Sequence, residues 1–340
     1  MSKTFRFALV VIMIATTVMM AGCKSSTPAA TTGAAVPITT HYKFAWIMPD
    51  MFNPFWVYMR QGAEKAAQEF KAQGIQIDIQ QMAPIDTFNT AEQVAIFENA
   101  ITMKVDAIGI CVIDQTAVIT QVNKAVAAGI PVAALSTDIP NSDRTIYAGV
   151  DNVLEATTVA KIGIDKQGGK GNYIILSGIP GNLISEQRDQ GYKAAIAQYP
   201  NAKLLDIQPA EFNRAKGMSI MENMLTKYPT GQIQGVFTVN DEVALGAMEA
   251  IQAAGRNEIS VIGIDGSQDA ANAIKAGTIL ATGADDPWMK GYVAVQQLVY
   301  KLQNDSKFTA TPEVKVTYVT KDNVDTYLTK FAEYGAYYKP

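Results

Sequence analysis

The 340 residues carry 28 Lys plus Arg against 32 Asp plus Glu, a formal net charge of -4, and 48% of them are apolar, the balance of an ordinary globular chain. The basic residues are scattered rather than massed, so there is no electrostatic footprint for a phosphate backbone and nucleic-acid binding is disfavoured. One histidine, His41, and two cysteines, Cys23 and Cys111, leave no material for a Cys/His zinc cluster or a His-centred triad; carboxylate and Lys chemistry stay open.

The chain begins as an export signal. Lys3 and Arg6 form a short positive region, Phe7 to Met20 is nearly all apolar, and the small residues Ala21 and Gly22 precede Cys23. The apolar stretch is shorter than the roughly 20 residues of a spanning helix, which disfavours an uncleaved anchor. Met20-Ala21-Gly22-Cys23 resembles the lipobox of bacterial lipoprotein precursors, and that resemblance implies a signal peptide over 1–22 and a lipid on Cys23. Residues 23–41, rich in Ser, Thr, Ala and Pro, read as a flexible tether, with His41 as its exposed last residue.

From Tyr42 onward, short apolar runs alternate with stretches of helical period. Strands are predicted at Lys43–Met48, Ile75–Met82, Ala107–Ile113, Pro131–Leu135, Thr145–Gly149, Asn172–Leu176, Leu204–Gln208, Gly235–Val239 and Val261–Asp265. Helices are predicted at Pro54–Ala72, Thr87–Met103, Ala117–Ala128, Val153–Gln167, Leu183–Tyr199, Arg214–Tyr228, Asp241–Ala254 and Ser267–Ala276. Gly74, Gly129, Gly255 and Gly277 stand just past four of these helices, where a left-handed cap costs least. Cys111 falls in a strand and reads as a small buried thiol. The segment Ser136 to Arg144, with Pro140 and Asn141, interrupts the rhythm and reads as a crossing between lobes. Val314 to Val319 alternates like a strand with one wetter face. Repeated βα units give an α/β fold of parallel sheets, and their number suits two sheets better than one.

Ligands of open α/β sheets sit beyond the carboxyl ends of the strands, and the candidate residues lie there. Asn53, Phe55 and Trp56 follow the first strand; the rings either pack on the helix start or stack on a ligand. Asn240 follows the strand at Gly235–Val239; Asp241 is expected to cap the next helix, which leaves Asn240 to face the crevice. Asp265 ends its strand, and Ser267 can take the capping role. Arg188 has the bland reading of a solvated or ion-paired helical Arg, and Phe212 that of a core residue.

Together, Asn53-Pro54-Phe55-Trp56, Arg188-Asp189-Gln190-Gly191-Tyr192, the run from Pro209 to Gly217, the run from Asn240 to Ala247 and Gly263-Ile264-Asp265-Gly266 resemble the ribose-type periplasmic sugar-binding proteins, the solute receptors of ABC importers. The resemblance runs from about Tyr42 to Val319. It implies a type 1 periplasmic binding protein: two doubly wound parallel-sheet lobes joined by a three-crossing hinge, 42–149 plus 286–311 and 150–285 plus 312–340. It further implies that Asn53, Phe55 and Trp56 of one lobe and Arg188, Phe212, Asn240 and Asp265 of the other hold the ligand. Where relatives place an Asp followed by a basic residue, this chain has Ser136-Thr137-Asp138, so Asp138 either replaces that carboxylate or only shapes the crossing. Asp285 stands where many members have Gln.

These residue types suit a sugar, whose C–H faces stack on rings while its hydroxyls need hydrogen bonds. The expected function is a lipid-anchored, monomeric receptor outside the cytoplasm that delivers a neutral monosaccharide or polyol to ABC permease subunits. The alternative is a sensor subunit presenting the same ligand to a chemoreceptor or histidine kinase. A repressor is rejected because residues 1–40 hold a signal and tether in place of a DNA-binding unit. Asp265 and Asp285 as paired glycosidase carboxylates lack a second motif, so no enzyme is expected. Calcium-loop spacing is absent, and neither a metal nor another cofactor is expected.

Overall fold

The computed structural model describes residues 38–337. The chain forms β1 (Thr40–Ile47), α1 (Pro54–Lys71), β2 (Ile75–Met82), α2 (Thr90–Thr102), β3 (Ala107–Ile110), α3 (Ile119–Ala127), β4 (Val132–Leu135) and β5 (Ile146–Ala148). It continues through α4 (Asn152–Lys166), β6 (Lys170–Ser177), α5 (Leu183–Ala197), β7 (Asn201–Pro209), α6 (Arg214–Lys227), β8 (Gly235–Thr238), α7 (Asp241–Ala253) and β9 (Ser260–Ile264). The last elements are α8 (Gln268–Ala276), β10 (Ala281–Ala284), α9 (Pro287–Leu302), β11 (Thr317–Thr320) and α10 (Val324–Tyr337). Among the described residues no helix is long and apolar enough to cross a membrane.

Two sheets result. The first is parallel throughout in the order β2-β1-β3-β4-β5. The second runs β11-β10-β9-β8-β6-β7, with only the β10–β11 pair antiparallel. Each sheet is covered on both faces, as the wholly buried β3, β4 and β8 show: a parallel strand made by helical crossovers has no wet side. Phe44, Trp46 and Met48 face one core of the first sheet with Leu298 and Val299 of α9, while Ala45 and Ile47 face the other with Phe97 and Val122. Tyr173, Tyr192 and Phe237 fill one side of the second sheet, and Ile174, Leu176 and Val236 the other. Each such aliphatic or aromatic side chain contributes about 1.5–3 kcal/mol on full burial.

The two sheets share a wiring rule. In each, the first strand lies between the second and third in chain order: β1 between β2 and β3, β6 between β7 and β8. That reversal opens a gap at the carboxyl ends of the strands, so each lobe offers one natural crevice wall.

Three crossings join the lobes. The chain leaves the first lobe after β5 at Gly149, returns between β10 and α9 at Asp285–Asp286, and leaves again between α9 and β11. A Cβ at Gly149 would lie 2.3 Å from the Tyr147 ring, so the first crossing is bare of side chain by necessity. Tyr147 N–H donates to Ala310 O at 2.8 Å, which sets the first and third crossings side by side. Helix α9 rests on α1 through two glycines: a Cβ at Gly62 would meet Trp288 O at 1.8 Å, and one at Gly291 would meet Met59 O at 1.9 Å.

Several expectations are corrected. Ser136 to Arg144 joins β4 to β5 inside one sheet instead of crossing between lobes. Residue 41 is no longer tether: β1 begins at Thr40, and His41 Nε2 bonds Asp78 Oδ2 at 2.7 Å. Helix α2 starts at Thr90, not Thr87, because Asn89 Oδ1 accepts from Glu92 N–H and caps it there. Elements β10, α9 and α10 were not anticipated. The signal and tether, Cys23 among them, lie outside the described residues.

Candidate functional site

A crevice lies between the lobes at the two switch points. The first wall begins with Asp50. Its Oδ1 accepts from the backbone N–H groups of Phe52 and Asn53, both at 2.8 Å, and its Oδ2 accepts from Trp56 Nε1 at 3.2 Å. One buried carboxylate thus fixes the turn that carries Asn53 and leaves the indole only its faces to offer. Asn53 Oδ1 accepts from Phe55 N–H at 2.9 Å, capping α1 ahead of Pro54, so the group it keeps for a ligand is its amide NH2. Phe55 and Trp56 pack edge to face at 4.8 Å. Phe88, Cys111, Ser136 and Thr137 complete this wall. Cys111 is a free, buried thiol, and burial pushes it up to about 12.

The second wall is built in the same way. Asn182 caps α5 and Asn240 caps α7, through bonds from Ser185 N–H at 3.1 Å and Val243 N–H at 3.0 Å. Arg188 rises from α5. Its NH1 donates to Val239 O at 2.7 Å and to Asp265 Oδ1 at 3.3 Å, and its NH2 donates to Asp285 Oδ2 at 3.3 Å. Its Nε, also buried, has no hydrogen-bond partner among the described residues. Phe212 closes the far side.

Backbone strain gathers here. Phe88 (φ 63), Ser136 (φ 61), Phe212 (φ 58) and Asp265 (φ 125) are four of nine non-glycine residues with positive φ among the described residues, and all four line the crevice. Such conformations cost of order 1–3 kcal/mol each and persist where surroundings over-determine them. At Asp265 the turn aims the carboxylate at Arg188.

The charges behind the second wall balance one another. Burial alone would lower the Arg188 guanidinium, but Asp265, Glu155 and Asp285 outweigh it and hold the cation. Glu155 Oε2 is 3.9 Å from Arg188 NH2, and neither of its buried oxygens has a hydrogen-bond partner among the described residues. Burial first, and Asp285 second, push Glu155 well above the usual carboxylate range. Burial also raises Asp265, against the pull of Arg188.

The lobes also touch each other directly. Gln115 Nε2 donates to Gly181 O at 3.3 Å while its Oε1 accepts from Leu183 N–H at 3.3 Å. Asn182 Nδ2 donates to Ile113 O at 2.9 Å.

Of the nine sequence candidates, Asn53, Phe55, Trp56, Arg188, Phe212, Asn240 and Asp265 come together around the crevice. Two do not. Asp138 is turned away because Arg144, six residues on, donates to it through both Nε and NH2, and its Oδ1 also accepts from Ile139 N–H. Asp285 has no exposure and lies behind Arg188, its Oδ2 taken by Arg188 and by Lys290. Asn240 itself, not Asp241 as expected, caps α7, because its Oδ1 reaches Val243 N–H; Asn182, a further lining residue not among the nine, caps α5 at the same kind of strand-to-helix turn.

Comparison with known proteins places this geometry. Residues 44–306 match the family model described as a periplasmic binding protein domain. The chain is 34% identical over 253 residues to the ribose import binding protein of Salmonella typhimurium, covering 74% of this chain and 82% of that one. It is 30% identical over 270 residues to the xylitol-binding protein of Mycolicibacterium smegmatis, covering 79% and 75%. Among solved structures, an ABC transporter periplasmic solute binding protein from Actinobacillus succinogenes with bound D-allose superimposes with a TM-score of 0.78 at 30% identity, covering 84% of this chain and 99% of that one.

Proposed function

The chain belongs to the periplasmic binding protein family, and from that premise we propose that it is an extracytoplasmic receptor of an ABC importer that holds a neutral monosaccharide or polyol between its two lobes. The observation that carries this reading is the pairing of Arg188 and Asp265 at one wall of a crevice whose aromatic surfaces are Phe55, Trp56, Phe88 and Phe212. Rings cover the C–H faces of a sugar, and the charged pair, with the Asn53 and Asn240 amides, restores hydrogen bonds to hydroxyls stripped of water. Asp265 Oδ1 is engaged by Arg188, which leaves Oδ2 to accept from a ligand hydroxyl.

The ligand set in this reading is Asn53, Phe55, Trp56, Arg188, Phe212, Asn240 and Asp265, and Asp138 and Asp285 act from outside the cavity. Lobes of 42–149 with 286–311 and of 150–285 with 312–340 close about crossings near Gly149, Asp285 and Thr311. The N-terminal sequence supports export and a lipid on Cys23, which would hold the receptor, a monomer, at the membrane beside its permease. No step of this function breaks a covalent bond in the ligand, so the protein acts as a receptor and not an enzyme.

Thermal shift and calorimetry with D-ribose, D-allose and xylitol test the reading. A ligand that binds only the folded state adds about 2.7 kcal/mol at a hundred times its dissociation constant. No response to any neutral sugar or polyol sinks the proposal.

A further inference from the structure

Lys290, in the first turn of α9, has no solvent exposure. Ammonium groups are seldom buried without partners, and its partners are unusual in where they come from. Its Nζ donates to Asp285 Oδ2 at 2.5 Å and to Ser136 Oγ at 3.1 Å, and lies 5.1 Å from the centroid of the Phe55 ring. Asp285 follows β10 of the second sheet. Ser136 follows β4 of the first, and Phe55 is on α1.

Because Asp285 Oδ2 also accepts from Arg188 NH2, and Arg188 NH1 reaches Asp265, one polar chain runs beneath the crevice. Its order is Asp265, Arg188, Asp285, Lys290, Ser136. It starts at a carboxylate on one wall and ends at a hydroxyl on the other, yet Lys290 itself does not line the cavity. Packing of α9 does not need the charge, since that helix seats on α1 through Gly62 and Gly291. The ammonium also has a directional effect at its far end: Ser136 Oγ accepts from Lys290, so the hydroxyl hydrogen is left to donate elsewhere.

We propose that Lys290 is the positioning residue that fastens the Arg188–Asp265 pair of the second lobe to the Ser136 wall of the first, so that contact with the ligand and closure of the lobes occur as one event. The proposal rests on reading the crevice as the solute site. Between Asp285 and Lys290 runs the second crossing itself, and their ion pair straddles the hinge.

The test uses the full chain with two variants, Lys290→Met and Asp285→Asn/Lys290→Met. The single variant strands the Asp285 carboxylate and risks unfolding; the double removes both halves of the pair at nearly constant volume. Each is measured by thermal unfolding, by small-angle scattering with and without ligand, and by affinity for whichever of D-ribose, D-allose and xylitol binds the parent. The double variant is expected to unfold cooperatively, to show a larger ligand-free radius of gyration than the parent, and to bind roughly tenfold or more weakly. Lost stability alone would move the unfolding temperature and leave the radius alone. A double variant that keeps the parent radius and binds within about threefold of it, or one that does not fold, overturns the proposal. If the parent binds none of the three, the receptor reading fails by itself, and the ligand-free radius still decides the role of Lys290.

Discussion

Phe88 of the first lobe and Phe212 of the second face each other across the crevice, ring centroids 6.2 Å apart and planes inclined by 16°. Each ring is held there by a left-handed backbone, φ 63 and φ 58, and the contact exists only while the lobes are together. Such a pair is worth about 0.5–1.5 kcal/mol beyond its buried area. Phe88→Ala should therefore speed ligand dissociation by roughly two- to tenfold and leave association and the unfolding temperature nearly unchanged. Stopped-flow rates check it; an unaltered dissociation rate removes Phe88 from the closed state.

Trp56 is oriented by Asp50. Trp56→Ala should lose roughly 1–3 kcal/mol of binding, by analogy with stacking on other flat ligands, with the fold intact because the indole is only half-buried. Asp50→Ala should produce a similar loss with Trp56 still present, since the indole and the Asn53 turn both lose their anchor. Calorimetry on the two variants decides between stacking and core packing. Unchanged affinity with a large fall in melting temperature would assign Trp56 to the core.

At the polar wall, Asp265→Asn should weaken binding by roughly 1.5–3 kcal/mol, the range for a hydrogen bond to a charged group. Arg188→Lys should weaken it too, because an ammonium cannot serve Val239 O, Asp265 and Asp285 at once as a planar fork does. With Arg188 already matched by carboxylates, Asp265 leaves the cavity no cation to spare for an anion. Sugar phosphates should bind less tightly than their neutral parents, and a calorimetric ranking in the opposite order would refute this assignment.

Asp241 is buried behind the same wall, accepting from Thr282 Oγ and Ser267 N–H, both at 2.7 Å. Burial pushes its carboxyl up to about 7. The folded protein thus binds this proton more tightly than the unfolded chain does, so the stabilisation is complete below about pH 4 and is lost as the pH rises to about 7. Asp241→Asn, neutral throughout, should match the parent near pH 4 and exceed it at pH 8, by on the order of a few kcal/mol. Denaturant melts across that range check it, and a gap that does not grow with pH would show that Asp241 ionises freely.

Cys23→Ser should leave sugar affinity unchanged and release the protein from membranes, since a lipid on residue 23 is separated from β1 by the chain between them. Fractionation reads this directly. A Ser variant that still sediments with membranes would point to an uncleaved apolar segment at Phe7 to Met20.

The sheets were legible because a buried parallel strand is a short apolar run and little else resembles it. β10 escaped notice for the same reason in reverse: Ala281-Thr282-Gly283-Ala284 is made of small residues, and its strand state comes from lying between β9 and β11. α9 follows directly behind the missed strand. Within the crevice, the residues that end strands could be read from position, as Asn53, Asn240 and Asp265 were, but the cap of α7 falls on Asn240 and not on Asp241 as expected. Asp138 and Asp285 could not. Nothing local announces that Arg144 will bind one on both sides or that a buried lysine will take the other, because those pairings are set by side chains meeting in space. Phe88 was lost inside a helix drawn three residues too long, although Asn89 and Glu92 spell out the N-terminal capping pattern.

Gln115 grips the turn from Gly181 to Leu183 with both ends of its amide; it bonds only backbone there and is not itself part of the crevice lining, although Asn182 of that turn is. Such a clasp rewards closure equally for every guest. Strengthening or removing it would lengthen or shorten residence without changing which guest is preferred, so a reporter built on this scaffold has one dial for sensitivity and another, at Arg188 and Asp265, for identity.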